Sequence, residues 1–393
     1  MYDFTTVHTR RNTDSIKWDW LNEIYSVQHG EEILPMWVAD MDFALPPFVE
    51  EALIKRIQSG VFGYSYPGQS VTQAVVDWLA TKHQTTIDKD WLLYESGVIP
   101  SMALALQAFT APGDRVLVHG PVYPPFRSTP ANLNREVVTF SLTEDEGHYS
   151  LDFDAFEQAL QENIAAFIFC NPHNPGGKVW SREDVKRIAD LCHQHGVLLI
   201  SDEIHADLVF EPFTHTMALS VADHTDHIIT CMAPTKTFNL AGLQAAYLIV
   251  TDDKKREKLK ETATNAAHMG MTVLGATAMK AAYQDGSPWV AELMTQLEEN
   301  TNYVIKHLSS EIPGIVVLKP EATYLLWIDY RALNVTEKDM MHALLHEGKL
   351  ALEPGTKYGP EGDGFLRMNI ACPLDTVKDG VERFIQASKT LTK

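Results

Sequence analysis

Short apolar runs alternate with helical patterns through the middle of the chain. Five of these runs have the length of strands and are bounded by turn residues, at 115–118, 166–170, 197–201, 227–231 and 246–250. The segment 181–195 repeats apolar residues on one face and has Ser181 as a candidate N-cap. This alternation predicts an α/β fold with a mostly parallel, helix-covered central sheet.

The pattern changes after residue 285. Pro288 suits the first turn of a helix, and apolar residues then follow one stripe to about residue 310. A strand at 323–330 and a helix ending at Gly348 come next. We therefore expect a large domain and a smaller α+β domain that includes the N-terminal arm, with these boundaries: 46–285 for the large domain, and 1–45 together with 286–393 for the smaller one.

Composition excludes several classes of protein. The 393 residues are 45% apolar and 21% charged, as in an ordinary globular protein, and no apolar run is long enough to span a membrane. The N-terminus has no apolar segment of signal-peptide length, so we expect a cytoplasmic protein. The formal net charge of -20 argues against nucleic acid as a partner. Because the same charge repels anions, an anionic cofactor would have to be bound by local groups such as backbone amides.

The cysteines and histidines show no spacing typical of disulfides or of a metal site. The four cysteines lack paired spacing and stand among apolar neighbours, so we expect buried thiols at Cys170, Cys192, Cys231 and Cys372. We expect no metal site, because the histidines have no metal-ligand spacing. His193 and His195 instead suit the end of a helix.

Four short polar segments carry the candidate chemistry, and each follows an apolar run. They are ESGVIPS at 95–101, NPHNPGG at 171–177, SDE at 201–203 and APTKTFNLAG at 233–242. In the last, Lys236 stands in an otherwise uncharged stretch, although a lysine by itself is usually an exposed loop residue. Asp202 by itself could cap a helix, and the other segments could be tight turns. Because ligand groups collect at the carboxyl ends of parallel strands, their order along the chain indicates one site.

These motifs resemble those of fold-type I enzymes that depend on pyridoxal 5'-phosphate (PLP), in the aminotransferase class I/II family, over nearly the whole chain. The strings MWVADMDF, FGYSYPG, SDEIHADL and TKTFNLAGLQ look most like the MalY/PatB subgroup of cystathionine β-lyase-like carbon-sulfur lyases. The resemblance implies the fold of a PLP-dependent transferase. It also implies a covalent link between Lys236 and PLP, with Lys236 moving protons at the substrate Cα afterwards.

The resemblance assigns further roles around the cofactor. Asp202 would pair with the pyridinium nitrogen, Asn174 would bind the phenolic oxygen, and Tyr123 would stack on the ring. The phosphate would be held by the amides of Val98 and Ile99, by the hydroxyl of Thr235, and by Tyr64 of a neighbouring subunit. A homodimer is therefore expected.

The substrate is expected to be a small amino acid. Arg367 lies in the strand-like run FLRMNIACP and would hold the substrate α-carboxylate, since a guanidinium matches a carboxylate in two parallel hydrogen bonds. A structural salt bridge is the alternative for this arginine. Ala39 and Asp40 would close over the same carboxylate.

Two positions depart from the pattern of many aminotransferases. His205 stands where they have a tyrosine, and Gln244 stands where they often have a phosphate-binding arginine. We still count His205 among the cofactor-binding residues. The absence of an arginine at position 244 weakens the plain aminotransferase interpretation. It also makes Thr235, Tyr64 and the helix-start amides more important for binding the phosphate.

The resemblance predicts β-elimination on cystathionine or a cysteine S-conjugate, giving a thiol, pyruvate and ammonia. Cleavage at the sulfur follows from the subgroup resemblance alone. A class I/II aminotransferase shares the early steps and is the main alternative. A regulatory binding protein that contacts a transcription factor and a PLP-fold protein without catalysis are further alternatives.

Overall fold

A seven-stranded sheet forms the centre of the computed structural model, which describes residues 1–145 and 147–391. Its strands are β1 (Leu92–Glu95), β2 (Arg115–Gly120), β3 (Glu136–Ser141), β4 (Ile164–Cys170), β5 (Leu198–Asp202), β6 (Ile228–Met232) and β7 (Ala246–Ile249). Their spatial order is β1-β7-β6-β5-β4-β2-β3, and β7 alone runs antiparallel to its neighbours. The prediction of a mostly parallel sheet is confirmed.

Helices pack against the sheets and against one another. The longer ones are α1 (Pro47–Gln58), α2 (Gln69–Lys82), α3 (Val98–Phe109), α4 (Pro125–Asn132), α5 (Phe153–Leu160), α6 (Arg182–Gln194), α7 (Asp253–Asn265), α8 (Val273–Asp285), α9 (Ser287–Glu311) and α10 (Leu374–Leu391). The predicted cap of α6 is present, because the Ser181 side chain accepts a hydrogen bond from the Asp184 amide. Shorter α-helices span Ile16–Asp19, Leu21–Tyr25, Ala218–Val221 and Glu337–His342.

A second sheet contains only antiparallel pairs. It comprises β8 (Val316–Leu318), β9 (Leu325–Asp329), β10 (Glu353–Pro354) and β11 (Phe365–Asn369), in the order β8-β9-β11-β10. The strand expected at 323–330 is shorter than predicted, because Thr323 has a φ of 76° and cannot extend it. The helix expected to end at Gly348 is α-helical to His342 and then continues as a π turn, Ala343–Glu347. The division into two domains stays a prediction, and α9 begins beside its expected boundary.

The remaining short elements are two strand pairs and several 3-10 turns. Leu34–Pro35 pairs in parallel with Leu350–Ala351, and Thr143–Asp145 forms a hairpin with His148–Ser150. The 3-10 turns span Gly30–Glu32, Lys89–Trp91, Ala241–Leu243, Arg331–Leu333, Gly355–Tyr358 and Pro360–Gly362. The first pair ties the N-terminal arm to the segment that precedes β10, close to the segment that carries Ala39.

The sheet topology brings the four polar segments to one edge. Strands β4, β5 and β6 are parallel, and β1 runs in the same direction because it and β6 are both antiparallel to β7. The carboxyl ends of β1, β4, β5 and β6 therefore lie on the same side of the sheet. Each leads directly into one of the four segments, as expected for ligand binding in this class of fold.

The described residues also bear on the cysteines and on membrane association. All four cysteines are free and buried, as predicted. Within residues 1–145 and 147–391, no helix is both long enough and apolar enough to cross a membrane.

Candidate active site

Lys236 lies in the turn that follows β6. Its Nζ donates a hydrogen bond to the carbonyl oxygen of Ala39, 2.5 Å away. Burial lowers the pKa of Lys236 to about 8, and the Arg367 guanidinium acts in the same direction. A lysine with this pKa is partly neutral near physiological pH and can act as a base.

Neighbouring side chains fix the turn that carries Lys236. The Thr237 hydroxyl donates to Oδ2 of Asp207 over 2.7 Å. Asn239, at a left-handed φ of 57°, exchanges hydrogen bonds with the backbone of Met41 and donates to Phe43. The turn and the segment around Ala39 are thus held together at several points.

Asp202 is the last residue of β5 and is only 5% exposed. Its Oδ1 accepts the Ile204 amide at 3.1 Å, and no cation in the described parts of the chain forms a direct ion pair with it. The residue does not cap a helix, because turns follow β5. Burial raises the pKa of Asp202 to about 7. A carboxylate in this position suits a cationic ligand group, which would restore its charged form.

Arg367 is buried on β11 beside Asn174. Its Nη1 donates to Oδ1 of Asn174 at 3.2 Å, and its Nη2 donates to the carbonyl of Trp37 at 2.9 Å. The same Nη2 forms an ion pair with Glu353. Its Nε is buried and has no hydrogen-bond partner among the described residues. The structural salt bridge that was the alternative therefore exists, yet one donor of the guanidinium is left for a ligand.

Asp40, which follows Ala39, is clamped by the N-terminal arm. Arg10 donates from Nη1 and Nη2 to the two carboxylate oxygens of Asp40, at 2.9 and 2.7 Å, and also to Asp42. The buried Lys17 forms a further ion pair with Asp42 at 2.7 Å. The Ala39 carbonyl also accepts the hydroxyl of Tyr324 at 3.1 Å. These contacts hold the predicted closing segment against Lys236.

The start of α3 has free amides. Gly97 precedes the helix and offers no side-chain cap, and the amides of Val98 and Ile99 have no hydrogen-bond partner in the described protein. The Thr235 side chain is buried, and its hydroxyl has no partner within residues 1–145 and 147–391 either. Unpaired amides at the start of a twelve-residue helix favour an anionic group.

Two aromatic groups complete the pocket. The backbone amide of Tyr123 donates to the carbonyl of Asn174 at 3.2 Å, and burial raises the pKa of the Tyr123 phenol. Burial lowers the pKa of His205 to about 3, with Lys236 and Arg367 contributing, so this imidazole is neutral at physiological pH. A neutral imidazole can donate one hydrogen bond without adding charge.

Two residues of the predicted phosphate region are exposed. Tyr64 has its side chain fully exposed in the single chain. Gln244 is also exposed, in a left-handed conformation with a φ of 55°. The single chain therefore does not bring Tyr64 to the other site residues.

Comparisons with known proteins agree with this geometry. The sequence profile described as "Aminotransferase class I and II" matches residues 31–384. The chain belongs to the aminotransferase class I and II family. The predicted family is thereby confirmed.

The chain is similar over nearly its whole length to two curated relatives. It is 42% identical to cystathionine beta-lyase PatB of Bacillus subtilis, covering 97% of this chain and 98% of that protein. Identity to protein MalY of Escherichia coli is 32%, over all of both chains. The predicted MalY/PatB subgroup is confirmed.

Solved structures show the same fold. Cystalysin from Treponema denticola, which contains a pyridoxal 5'-phosphate cofactor, is 34% identical with a TM-score of 0.96, and the match covers all of both chains. A PLP-bound C-S lyase from Staphylococcus hominis is 28% identical with a TM-score of 0.92, over 98% of each chain. The prediction that the chain has the fold of a PLP-dependent transferase is confirmed.

Sequence reasoning missed Glu353. This residue lies opposite Arg367 in the β10–β11 ladder and is 5% exposed. It also accepts from Tyr358 and pairs with Lys357. Although burial opposes it, the charges of Arg367 and Lys357 keep the pKa of Glu353 below its ordinary value. The signal was available, since a charged residue in the apolar run LALEPG is as conspicuous as Arg367 in FLRMN.

Tyr324 was missed for a different reason. It contacts the Ala39 carbonyl, and its ring lies edge-on to His205 with 6.3 Å between centroids. An aromatic residue at the start of the predicted strand 323–330 is indistinguishable from an ordinary core residue. Its position depends on packing between distant segments.

Proposed function

We propose that this protein is a PLP-dependent carbon-sulfur β-lyase that cleaves cystathionine or cysteine S-conjugates. The substrate would be converted to a thiol, pyruvate and ammonia. The observation that carries the proposal is that Lys236, Asp202 and Asn174 follow strands at one edge of the central sheet and that Arg367, from the second sheet, contacts Asn174 there. The chain that carries them is similar over nearly its full length to PatB and MalY.

The buried groups fit PLP in charge and hydrogen bonding. Asp202 lacks a direct cationic partner, as expected of the group that receives a protonated ring nitrogen. The free amides of Val98 and Ile99, with Thr235, suit the phosphate. Asn174 would donate to the ring oxygen, the neutral His205 would be a further contact of the cofactor, and Tyr123 would supply an aromatic face.

When bound, PLP supplies an electron-accepting ring that stabilises negative charge at the substrate Cα. Arg367 would hold the α-carboxylate through its free Nε, with Glu353 and the Trp37 carbonyl fixing the guanidinium. The amine of Lys236 would then remove the Cα proton. The electron pair left at Cα would form a Cα–Cβ double bond as the Cβ–S bond breaks, and the thiolate would leave and take up a proton. Water would finally convert the remaining three-carbon fragment to pyruvate and ammonia.

The segment around Ala39 would exclude water from the reacting atoms. Its carbonyl already contacts Lys236, and Arg10 holds Asp40 in place. Exclusion of water strengthens the interaction between Arg367 and a carboxylate.

A homodimer is part of the proposal. Tyr64 is fully exposed in the single chain and belongs to a stretch, 54–66, with several other exposed apolar side chains, which supports its use by a partner subunit. These side chains are those of Ile54, Ile57, Val61, Phe62 and Tyr66. A cytoplasmic location is also proposed, and the four free, buried cysteines agree with a reducing compartment.

A substrate panel tests the lyase reaction. The PLP-loaded enzyme is incubated with cystathionine, S-methylcysteine and serine, and pyruvate is measured. We expect pyruvate from both sulfur compounds and far less from serine, because hydroxide is a poorer leaving group than a thiolate. Equal turnover of serine, or no pyruvate from any compound, would contradict the proposal.

A further inference from the structure

A cavity of about 660 Å³, which we call the second cavity because it is separate from the candidate active site, lies beside the segment that continues the Asn174 loop. Its wall is formed by the end of α2, by the segment 178–182 that continues the Asn174 loop, and by 213–217. The residues assigned to PLP or substrate do not line it. A cavity of this size can hold a metabolite.

Three cations line the cavity and form no ion pair with a described residue: Lys82, Lys178 and Arg182. The Nζ of Lys178 lies 5.6 Å from the centroid of the Trp180 ring, and the charge of Lys82 acts on Asp207. Glu321 is the acidic lining residue, and it already accepts the Val179 amide at 2.7 Å. In a chain of formal net charge -20, three cations without ion pairs to described residues create a local attraction for anions at this cavity.

Two histidines form a buried part of the wall. The rings of His83 and His215 lie 5.6 Å apart and nearly perpendicular. Nε2 of His83 lies 2.8 Å from Asp207, and Nε2 of His215 lies 2.8 Å from Glu203. Nδ1 of His215 is buried, with no hydrogen-bond partner in the described residues. With its Nε2 directed at Glu203, His215 has Nδ1 left for a ligand.

The carboxylates behind these histidines also support the active site. Asp207 accepts the hydroxyl of Thr237, which is next to Lys236. Glu203 follows Asp202 directly and accepts the Ser201 hydroxyl at 2.8 Å. The cavity wall and the catalytic edge of the sheet therefore share supporting residues.

We propose that this cavity binds a small phosphate-bearing anion through Lys82, Lys178, Arg182 and the two histidines. The charge of the wall matches a phosphate dianion, and the volume leaves room for either free phosphate or a small phosphate ester. The site is separate from the one that binds the cofactor phosphate. It rests on the contacts of the cavity and not on the lyase reaction.

Calorimetry on the PLP-loaded enzyme tests the proposal. Loading fills the cofactor site, so that inorganic phosphate or glycerol 3-phosphate can be added as a probe of the second cavity. We expect saturable binding that is weakened about tenfold or more by the double substitution Lys178→Gln and Arg182→Gln. Preference for one probe identifies free phosphate or an ester as the better ligand.

The matched control is the double substitution Lys254→Gln and Lys338→Gln. Both lysines are exposed, lie away from this cavity and form no described ion pair, so the control loses the same charge. It should bind phosphate as the wild type does. Equal weakening in both double variants would show general charge attraction and would overturn the site.

The imidazole resonances locate the bound anion. Signals of His83 and His215, assigned by His83→Gln and His215→Gln, should shift on saturation with phosphate. Absence of saturable binding, or binding that leaves both signals unchanged, would overturn the proposal. Because no substrate is present, these results do not depend on whether the enzyme is a lyase.

Discussion

The side chain of Lys236 donates a hydrogen bond to the backbone carbonyl of Ala39, with 2.5 Å between the two atoms. The contact joins the turn after β6 to a segment nearly two hundred residues earlier. Tyr324 donates to the same carbonyl, and Arg10 fixes the adjacent Asp40. The proposed base is therefore positioned partly by the segment expected to cover the substrate carboxylate.

Activity should depend on the protonation state of Lys236. Since burial and Arg367 lower the pKa of this lysine to about 8, the neutral amine becomes dominant as pH rises through that value. We expect kcat at saturating substrate to increase with pH and to level off above about 8.

The contribution of Arg367 to this pKa can be isolated. Arg367→Gln removes a neighbouring positive charge, so the pKa of Lys236 should rise. The rising limb of the kcat–pH profile, where kcat increases with pH, should therefore move to higher pH. Arg331→Gln, at a half-exposed arginine paired with Asp329, should leave the limb in place. A limb that moves to lower pH in Arg367→Gln would contradict the assignment.

Asp202→Asn should reduce kcat by about 10²-fold or more, because the substitution removes a preorganised negative charge opposite the cofactor nitrogen and keeps the shape of the side chain. Asp190→Asn is the control, since Asp190 forms a surface ion pair with Lys186. Thiol release gives kcat, and cofactor titration checks loading. Retention of full kcat in Asp202→Asn would remove the carboxylate from the mechanism.

Glu353→Gln should lower the free energy of unfolding by about 3 kcal/mol, because a buried guanidinium loses its counter-ion. A ligand carboxylate can replace that charge. The thermal stabilisation produced by 3-(methylthio)propionate, which lacks the reacting amine, should therefore be larger in this variant than in the wild type.

The control for Glu353→Gln is Glu361→Gln, because Glu361 pairs with Arg127 at 3.1 Å away from Arg367. Its stabilisation by the same carboxylate should equal that of the wild type. A smaller ligand effect in Glu353→Gln than in the wild type would show that the carboxylate does not bind at Arg367.

A shared active site can be tested by mixing two inactive variants. In a heterodimer of Lys236→Ala and Tyr64→Ala chains, one site carries both defects and the other carries neither. Random reassociation of equal amounts should restore about a quarter of wild-type activity. Lack of recovery, despite heterodimers detected by mass, would contradict the use of Tyr64 across the interface.

The fold and the core of the site could be predicted because they depend on local signals. Apolar runs bounded by turns marked five of the seven central strands, and the polar segments after them placed Lys236 and Asp202. Strand β1 was missed because LLYE is short, and β3 because its pattern is half exposed.

Long-range pairings could not be predicted. The contacts Glu353–Arg367 and Tyr324–Ala39 join residues whose separation along the chain has no periodic signature. The same holds for the second cavity, where His83 and His215 come together from two loops that are far apart along the chain. Such contacts depend on how the two sheets and the N-terminal arm pack.

The central claim is that this chain eliminates a thiol from a sulfur amino acid with Lys236 as the base. The most direct measurement follows thiol, pyruvate and ammonia together from cystathionine, without an added amino acceptor, using wild type and Lys236→Ala. We predict equal amounts of the three products from the wild type and a rate lower by about 10⁴-fold in the variant. Keto acid that forms only when an amino acceptor is supplied, without thiol release, would contradict the account.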